Sequence, residues 1–170
     1  MYKFRFLRNG SLIFVGCFNL HWSLAGKITL TVLSAYSDNT LLDKIYFFEL
    51  SIFSFLSGNS DINLKNFSMI NKGAEWVLAP AYDLLNVAII NPSDTEELAL
   101  PIEGKKKKLT REHFERFGRG LGLNARQVDG VFKRFFKNKT VALDWIQNSF
   151  LSVGYKQKYR DLLEERYVRL

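Results

Sequence analysis

The sequence predicts a mainly α-helical domain carrying one small β-hairpin. Three observations predict it: apolar residues at helical spacing between Leu41 and Leu56, a Gly-containing turn between two short β-prone runs near residue 73, and helix-capping patterns in the last third. At 170 residues and 47% hydrophobic, the chain is long enough to bury roughly two thirds of its unfolded surface in one core. Phe alone supplies 15 residues, which argues for an aromatic interior and against disorder. Three prolines, no repeat and no low-complexity linker leave no reason to divide the chain after about residue 33.

The elements follow in order. Lys3, Arg5 and Arg8 precede the apolar run SLIFVGCFNL, and Ser23-Leu24-Ala25 has the small-x-small form of a signal-peptidase site, so an exported protein is one reading of the N-terminus. Phe4, Phe6 and Leu7 inside the charged region, and Asn19, His21 and Trp22 inside the apolar one, favour a buried strand or short helix of a cytoplasmic protein that keeps its first 25 residues. Thr40 is a plausible N-cap with Asp43 at the third helical position, and Leu41, Ile45, Phe48, Ile52 and Phe55 share a face. The charges Asp43, Lys44 and Glu49 exclude a membrane span there. This helix should stop at Ser57-Gly58.

After it, FSMI and EWVLA flank Asn71-Lys72-Gly73 as the arms of a hairpin. A short extended piece, ELALPI, leads into the turn and charge run EGKKKK. Three helices should finish the chain, starting near Thr110, Asn124 and Tyr155, with Asn124 and Gln127 at capping-box spacing. Val128, Val131, Phe132, Phe135, Phe136, Trp145, Ile146, Phe150 and Leu151 form the expected inward stripe.

The chemistry concentrates in the polar loop after the first long helix. Phosphoryl transfer needs a carboxylate beside the attacking hydroxyl and further oxygen ligands that hold Mg²⁺ against nucleotide phosphates. Protein kinases take these from a loop with Asp and, five positions later, Asn, followed by a second Asp after a short hairpin. Asp61, Asn66 and Asp83 have that order and spacing, and Lys65 lies in the same loop. Read without that template, Gly-Asn-Ser-Asp is an ordinary turn and Asp83 a cap for the segment LLNV.

The wording of the loop adds to its spacing. GNSDINLKNFSMI followed by LAPAYDLL resembles the signature of the HipA-type serine/threonine kinases, the toxins of bacterial toxin–antitoxin modules, whose loop reads approximately G-N-x-D-x-H-x-K-N-F and whose metal segment reads P-x-Y-D. The resemblance covers about residues 33–170: Ser34 to Leu56 looks like the family's helix leading into the loop, and ELALPIEGKKKKLTREHF looks like the segment after its metal site. It implies the helical C-lobe of a protein-kinase-like fold. It also implies Asp61 as catalytic base, Asn66 and Asp83 as Mg²⁺ ligands, Lys65 as a catalytic phosphate contact, and Asn63 as part of the ATP-binding loop. The implied reaction moves the ATP γ-phosphate to a protein Ser or Thr, in a family that acts on aminoacyl-tRNA synthetases. A cognate antitoxin protein is the implied partner, with DNA reached only through it and no membrane involved.

Two departures accompany the match. The family's His two residues after the catalytic Asp is Asn63 here. Residues 1–32 are too few for a nucleotide-covering N-lobe, which gives the expectation that the lobe is missing or separately encoded, and that the chain alone transfers phosphate feebly. Ser23-Leu24-Ala25-Gly26-Lys27 is read as a chance echo of the family's phosphate loop.

Other candidates carry less. The charge of +7 suits phosphate-bearing partners of any kind, and a non-catalytic remnant or binding module with a basic, nucleic-acid-associated surface is the alternative function. Lys105 to Lys108 read as a solvated turn, and His113 as an exposed residue in a first helical turn. His21 has no partner at a metal-binding interval, and the single Cys17 cannot form an internal disulfide.

Overall fold

The computed structural model describes residues 3–6, 11–15, 25–63 and 66–170, with side chains from residue 31 onward. Lys65, Cys17, His21 and the Ser23-Leu24 pair therefore lie outside the described residues or side chains. The order is β1 (Lys3–Phe6), β2 (Ser11–Val15), α1 (Ala25–Tyr36), α2 (Thr40–Ser57), β3 (Ser68–Lys72), β4 (Glu75–Leu78), α3 (Arg111–Gly120), α4 (Ala125–Lys137), α5 (Lys139–Gln147) and α6 (Val153–Val168).

The expected hairpin is present as β3–β4 and is one half of a larger antiparallel sheet, ordered β1-β2-β3-β4 with β4 at its edge. Its register pairs Lys72 with Glu75, so the connecting residues are Gly73 and Ala74 rather than Asn71-Lys72-Gly73. Gly73 takes φ 81, the backbone a two-residue turn with glycine first requires. On the other side, Leu12 pairs with Met69 and joins the N-terminal strands to the hairpin.

Helix α2 is the spine. It begins one residue earlier than expected: Asn39, not Thr40, is the capping position, and Thr40 Oγ1 donates to Ser37 O at 2.8 Å. Ser34 to Leu56 is not one helix, because the chain turns between α1 and α2. Asp43 is buried, where its Oδ2 accepts from Ser37 Oγ at 2.6 Å and from the Leu78 backbone N–H at 2.8 Å. That carboxylate fastens β4 to the start of α2, a stronger bond than a neutral acceptor gives.

The inward face of α2 supplies Phe47, Phe48, Ile52 and Phe55, all within 1% of complete burial. Phe48 meets Phe117 of α3 and Phe132 of α4, each at 6.1 Å between ring centres, and Phe55 meets Phe114 at 5.2 Å. These are the tilted and edge-on arrangements aromatic quadrupoles favour. Gly118 permits the approach of α3: a Cβ there would stand 2.7 Å from Val128 Cγ2 and 3.3 Å from the Phe48 ring.

The C-terminal third departs from expectation in four places. ELALPI forms no regular strand: it pairs across the following turn through the bridge Ile102–Lys105 and the Glu97 N–H on Lys106 O at 2.8 Å, and Glu103 and Gly104 in that turn both have positive φ. The helix expected to run from Asn124 is divided, because Asn138 caps α4 with its side chain on Arg134 O at 2.9 Å and α5 starts afresh at Lys139. The Asn124–Gln127 capping box itself is formed, with reciprocal bonds of 3.0 and 2.8 Å. The restart alters the phase of the apolar stripe, so Trp145 is 76% exposed and Phe150, in the link after α5, is fully exposed, while Val128, Val131, Phe132 and Ile146 are buried. His113 is buried, not exposed: its Nδ1 accepts from the Thr110 backbone N–H at 3.2 Å, closing the first turn of α3. Among the described residues no helix is long and apolar enough to cross a membrane.

Candidate functional site

The site begins where α2 ends. Gly58 stops the helix in the left-handed conformation, φ 78, with its N–H on Phe55 O at 3.3 Å. A side chain is excluded there on two grounds, since a Cβ would also lie 2.6 Å from Asn86 Oδ1 and 2.8 Å from Leu162 Cδ2. The Gly58 carbonyl accepts from the N–H groups of Val87 at 2.9 Å and Ala88 at 3.1 Å, drawing the segment after the hairpin against the loop.

Helix α6 braces this junction. Arg166 is 4% exposed and donates from Nη1 to Phe55 O, and burial pulls its guanidinium down to about 10, still charged at neutral pH. Tyr159 of the same helix has its hydroxyl pushed above its ordinary value by burial.

From there the four described loop candidates form one hydrogen-bonded series. Asn63 Nδ2 donates to Asp61 Oδ1 and to Asp61 O, both at 3.0 Å. The Asn63 backbone N–H donates to Asn66 Oδ1 at 3.0 Å, and the Asn66 N–H returns to Asn63 O at 2.9 Å. Asn66 Nδ2 then donates to Asp83 Oδ2, across the hairpin. Asp61, Asn63, Asn66 and Asp83 are thereby brought together, although 22 positions separate the first and last of them in sequence. Asn66 is buried, while Asp61 and Asp83 are exposed, as groups that meet a solvent-borne ligand must be.

Asp83 does not cap a helix. It sits in a segment without regular structure and adopts φ 57, a left-handed backbone that Asp tolerates better than most residues but that still needs external support. Sequence reasoning did not single out that support: Asn59 donates from Nδ2 to Asp83 O at 3.2 Å, and Tyr46 of α2 receives the Ala81 N–H on its hydroxyl at 2.8 Å. The G-N doublet before Asp61 was the available signal for the first; nothing in the sequence pointed to the second.

The donor set is a carboxylate and a carboxamide, hard oxygens of the kind Mg²⁺ takes. Asn66 Oδ1 has two lone pairs and keeps one for an ion while accepting from Asn63. Among the described residues no cluster of three or more His, Cys, Asp and Glu marks a different metal centre. The lysine run is engaged in its own turn: Lys106 pairs with Glu96 at 2.8 Å and Lys107 reaches Thr95 Oγ1, which accords with a structural, solvated turn.

The model of the HipA-like C-terminal domain matches residues 25–143. Among solved structures, the chain resembles one in the complex of the Shewanella oneidensis MR-1 toxin–antitoxin system HipA, HipB and its operator DNA, with a TM-score of 0.69 and 22% identity. The match covers 82% of this chain and 34% of that one, so the sequence corresponds to about a third of its length. At this identity the likeness speaks for the fold. A comparison with curated proteins gives no match.

Proposed function

The chain belongs to the family of HipA-like C-terminal domains, and from that premise we propose that it is the catalytic-loop lobe of a serine/threonine protein kinase of the HipA toxin type. The supporting observation is the hydrogen-bonded series from Asp61 through Asn63 and Asn66 to Asp83, which joins a candidate base to candidate metal ligands from two separate segments.

In this reading Asp61 accepts the proton of a protein Ser or Thr hydroxyl. The hydroxyl oxygen bonds to the γ-phosphorus as the bond from that phosphorus to its bridging oxygen breaks, releasing ADP. Asn66 and Asp83 hold Mg²⁺, which neutralises charge on the phosphates when bound. Asn63 keeps the Asp61 carboxylate aimed by donating to one of its oxygens, a task that needs an N–H but no titration. The place of the family's His is thus taken by a group that retains the donor and gives up the proton exchange. Lys65 is the proposed phosphate contact. The proposed partners are a protein substrate, of the aminoacyl-tRNA synthetase class by resemblance, and an antitoxin protein of the kind present in the Shewanella complex. ATP as phosphate donor places the activity in the cytoplasm.

The test is Mg²⁺-dependent binding of a non-hydrolysable ATP analogue, followed by transfer of labelled γ-phosphate. Asp83→Asn should weaken binding at least about tenfold, because a charge-assisted contact is worth roughly 1.5–3 kcal/mol. Asp61→Ala should retain the nucleotide and abolish transfer. Nucleotide binding that is indifferent to both Mg²⁺ and Asp83 would remove the kinase reading and leave a binding module.

A further inference from the structure

We propose that Asn59 is a positioning residue that holds the backbone of Asp83 in the conformation needed to present its carboxylate, so that one loop both carries the base and sets the metal ligand. The inference rests on the reading of Asp83 as a metal ligand.

Asp83 has no regular structure of its own to fix it. Residues 79–87 belong to neither helix nor strand, so no ladder of backbone bonds determines φ at position 83. Among the described residues two side chains act on Asp83 directly, and they do different things. Asn66 binds the carboxylate, the group that an incoming cation would claim. Asn59 binds the carbonyl of the same residue at 3.2 Å and leaves the carboxylate alone. Only the second of these contacts persists unchanged when the carboxylate is recruited.

Asn59 is itself immobilised. It is 1% exposed, and its backbone N–H donates to Ser54 O at 2.9 Å in the last turn of α2. Its amide is therefore a rigid extension of that helix, two residues before Asp61. The neighbouring Gly58 carbonyl holds Val87 and Ala88, so the far end of the Asp83 segment is secured to the same turn. The separation between base and metal ligand is then set by α2 rather than by the sheet. The chemistry also explains the residue type. An acceptor carbonyl requires a donor opposite it, which Asn supplies and the isosteric Asp, when ionised, would replace with repulsion.

The experiment compares the isotope-labelled wild-type chain with Asn59→Asp, which keeps the size and loses the donor, and Asn59→His, which restores a ring N–H donor. Backbone ¹³C shifts of Asp83 report its left-handed conformation without any ligand. Water-proton relaxation reports the affinity for Mn²⁺ with a non-hydrolysable ATP analogue. Asn59→Asp should move the Asp83 shifts out of the left-handed range, with α4 signals unchanged, and weaken metal–nucleotide binding about tenfold. Asn59→His should recover part of both. Asp83 shifts that stay put in Asn59→Asp overturn the proposal, as does a loss of Asp83 geometry that comes only with loss of the α4 signals. Where Asn59→Asp does not fold, Asn59→His decides: retained left-handed shifts support the proposal and their loss overturns it. If Asn59→Asp moves the shifts while Asp83→Asn leaves metal affinity intact, the positioning stands and the metal-ligand reading alone falls.

Discussion

The loop from Gly58 to Asn66 and the helix pair α3–α4 both depend on α2, and they are ordered by opposite means. Against α3 and α4 the helix offers Phe48 and Phe55, whose rings interlock with Phe114, Phe117 and Phe132. At its end it offers polar groups: Asn59, Ser60 and Asn66 are buried, the first and last with their amides on Asp83 and Ser60 with its Oγ donating to Asp94 Oδ2 at 3.5 Å. Aromatic packing stabilises through area and tolerates small adjustments, whereas a hydrogen-bonded loop is directional and loses its geometry when one donor is misplaced. Damage to the first region should therefore lower stability, and damage to the second should impair ligand binding before the fold suffers.

The largest stability effect is expected from Phe48→Ala. The side chain is completely buried between two other rings, so its removal should cost about 3–5 kcal/mol in a urea titration. The molecules that remain folded should bind Mg²⁺–nucleotide with nearly wild-type affinity. A parallel loss of affinity in the folded fraction would show that packing and site are not separable.

Gly58→Ala sharpens the comparison from the other side. The left-handed backbone alone should cost roughly 1–3 kcal/mol, and the added methyl must displace Asn86 or Leu162. Because the Gly58 carbonyl holds Val87 and Ala88, the displacement reaches the segment that carries Asp83. The expected result is a smaller fall in stability than for Phe48→Ala and a larger fall in nucleotide affinity, read by the same two measurements. If the order of the two effects were reversed, the division of labour between loop and core would be wrong.

The two regions were also unequally legible in the sequence. The grouping of Asp61 with Asn66 was readable because the loop's order is local, with short-range bonds joining residues two or three apart, whereas Asp83 joins them through a bond that spans 17 positions. The α2 stripe was readable from Phe48 through Ile52 to Phe55 because one uninterrupted helix keeps one phase, although Leu41 at its start is half exposed and Ile45 only partly buried. Trp145 and Phe150 were misplaced because Asn138 resets that phase, a choice made by a single side-chain cap that periodicity cannot register. His113 was misjudged for a similar reason: a first-turn position is usually solvated, but here the ring is turned back onto Thr110. The left-handed backbone of Asp83 and its tie to Asn59 depend on a contact spanning 24 positions, and no local propensity encodes it.

The smallest effect should come from the charged surface of the helical half, where Asp129 accepts from Lys133 at 2.8 Å and from Arg111 Nη2 at 3.2 Å. The Lys133 hydrogen bond, joined by the Arg111 contact, holds this carboxyl below its ordinary value of 3.8, so its ionised form is favoured more in the folded chain than in the unfolded one. A depressed carboxyl adds stability that is complete above the unfolded value and disappears as the folded group is protonated. Wild type should therefore exceed Asp129→Asn slightly at pH 7, and the difference should fade as pH falls below about 3.8. Added salt should shrink it as well, because the pair is solvent-exposed. Arg111 stacks over the Phe132 ring at 4.3 Å and keeps that contact in the variant, which limits what removing one charge can do. Thermal denaturation of both proteins across this pH range, at low and high salt, measures the difference. A gap that persisted in acid would mean that Asp129 acts through packing, and the line drawn between a tolerant apolar core and a direction-sensitive polar loop would have to be moved to include the surface of α4.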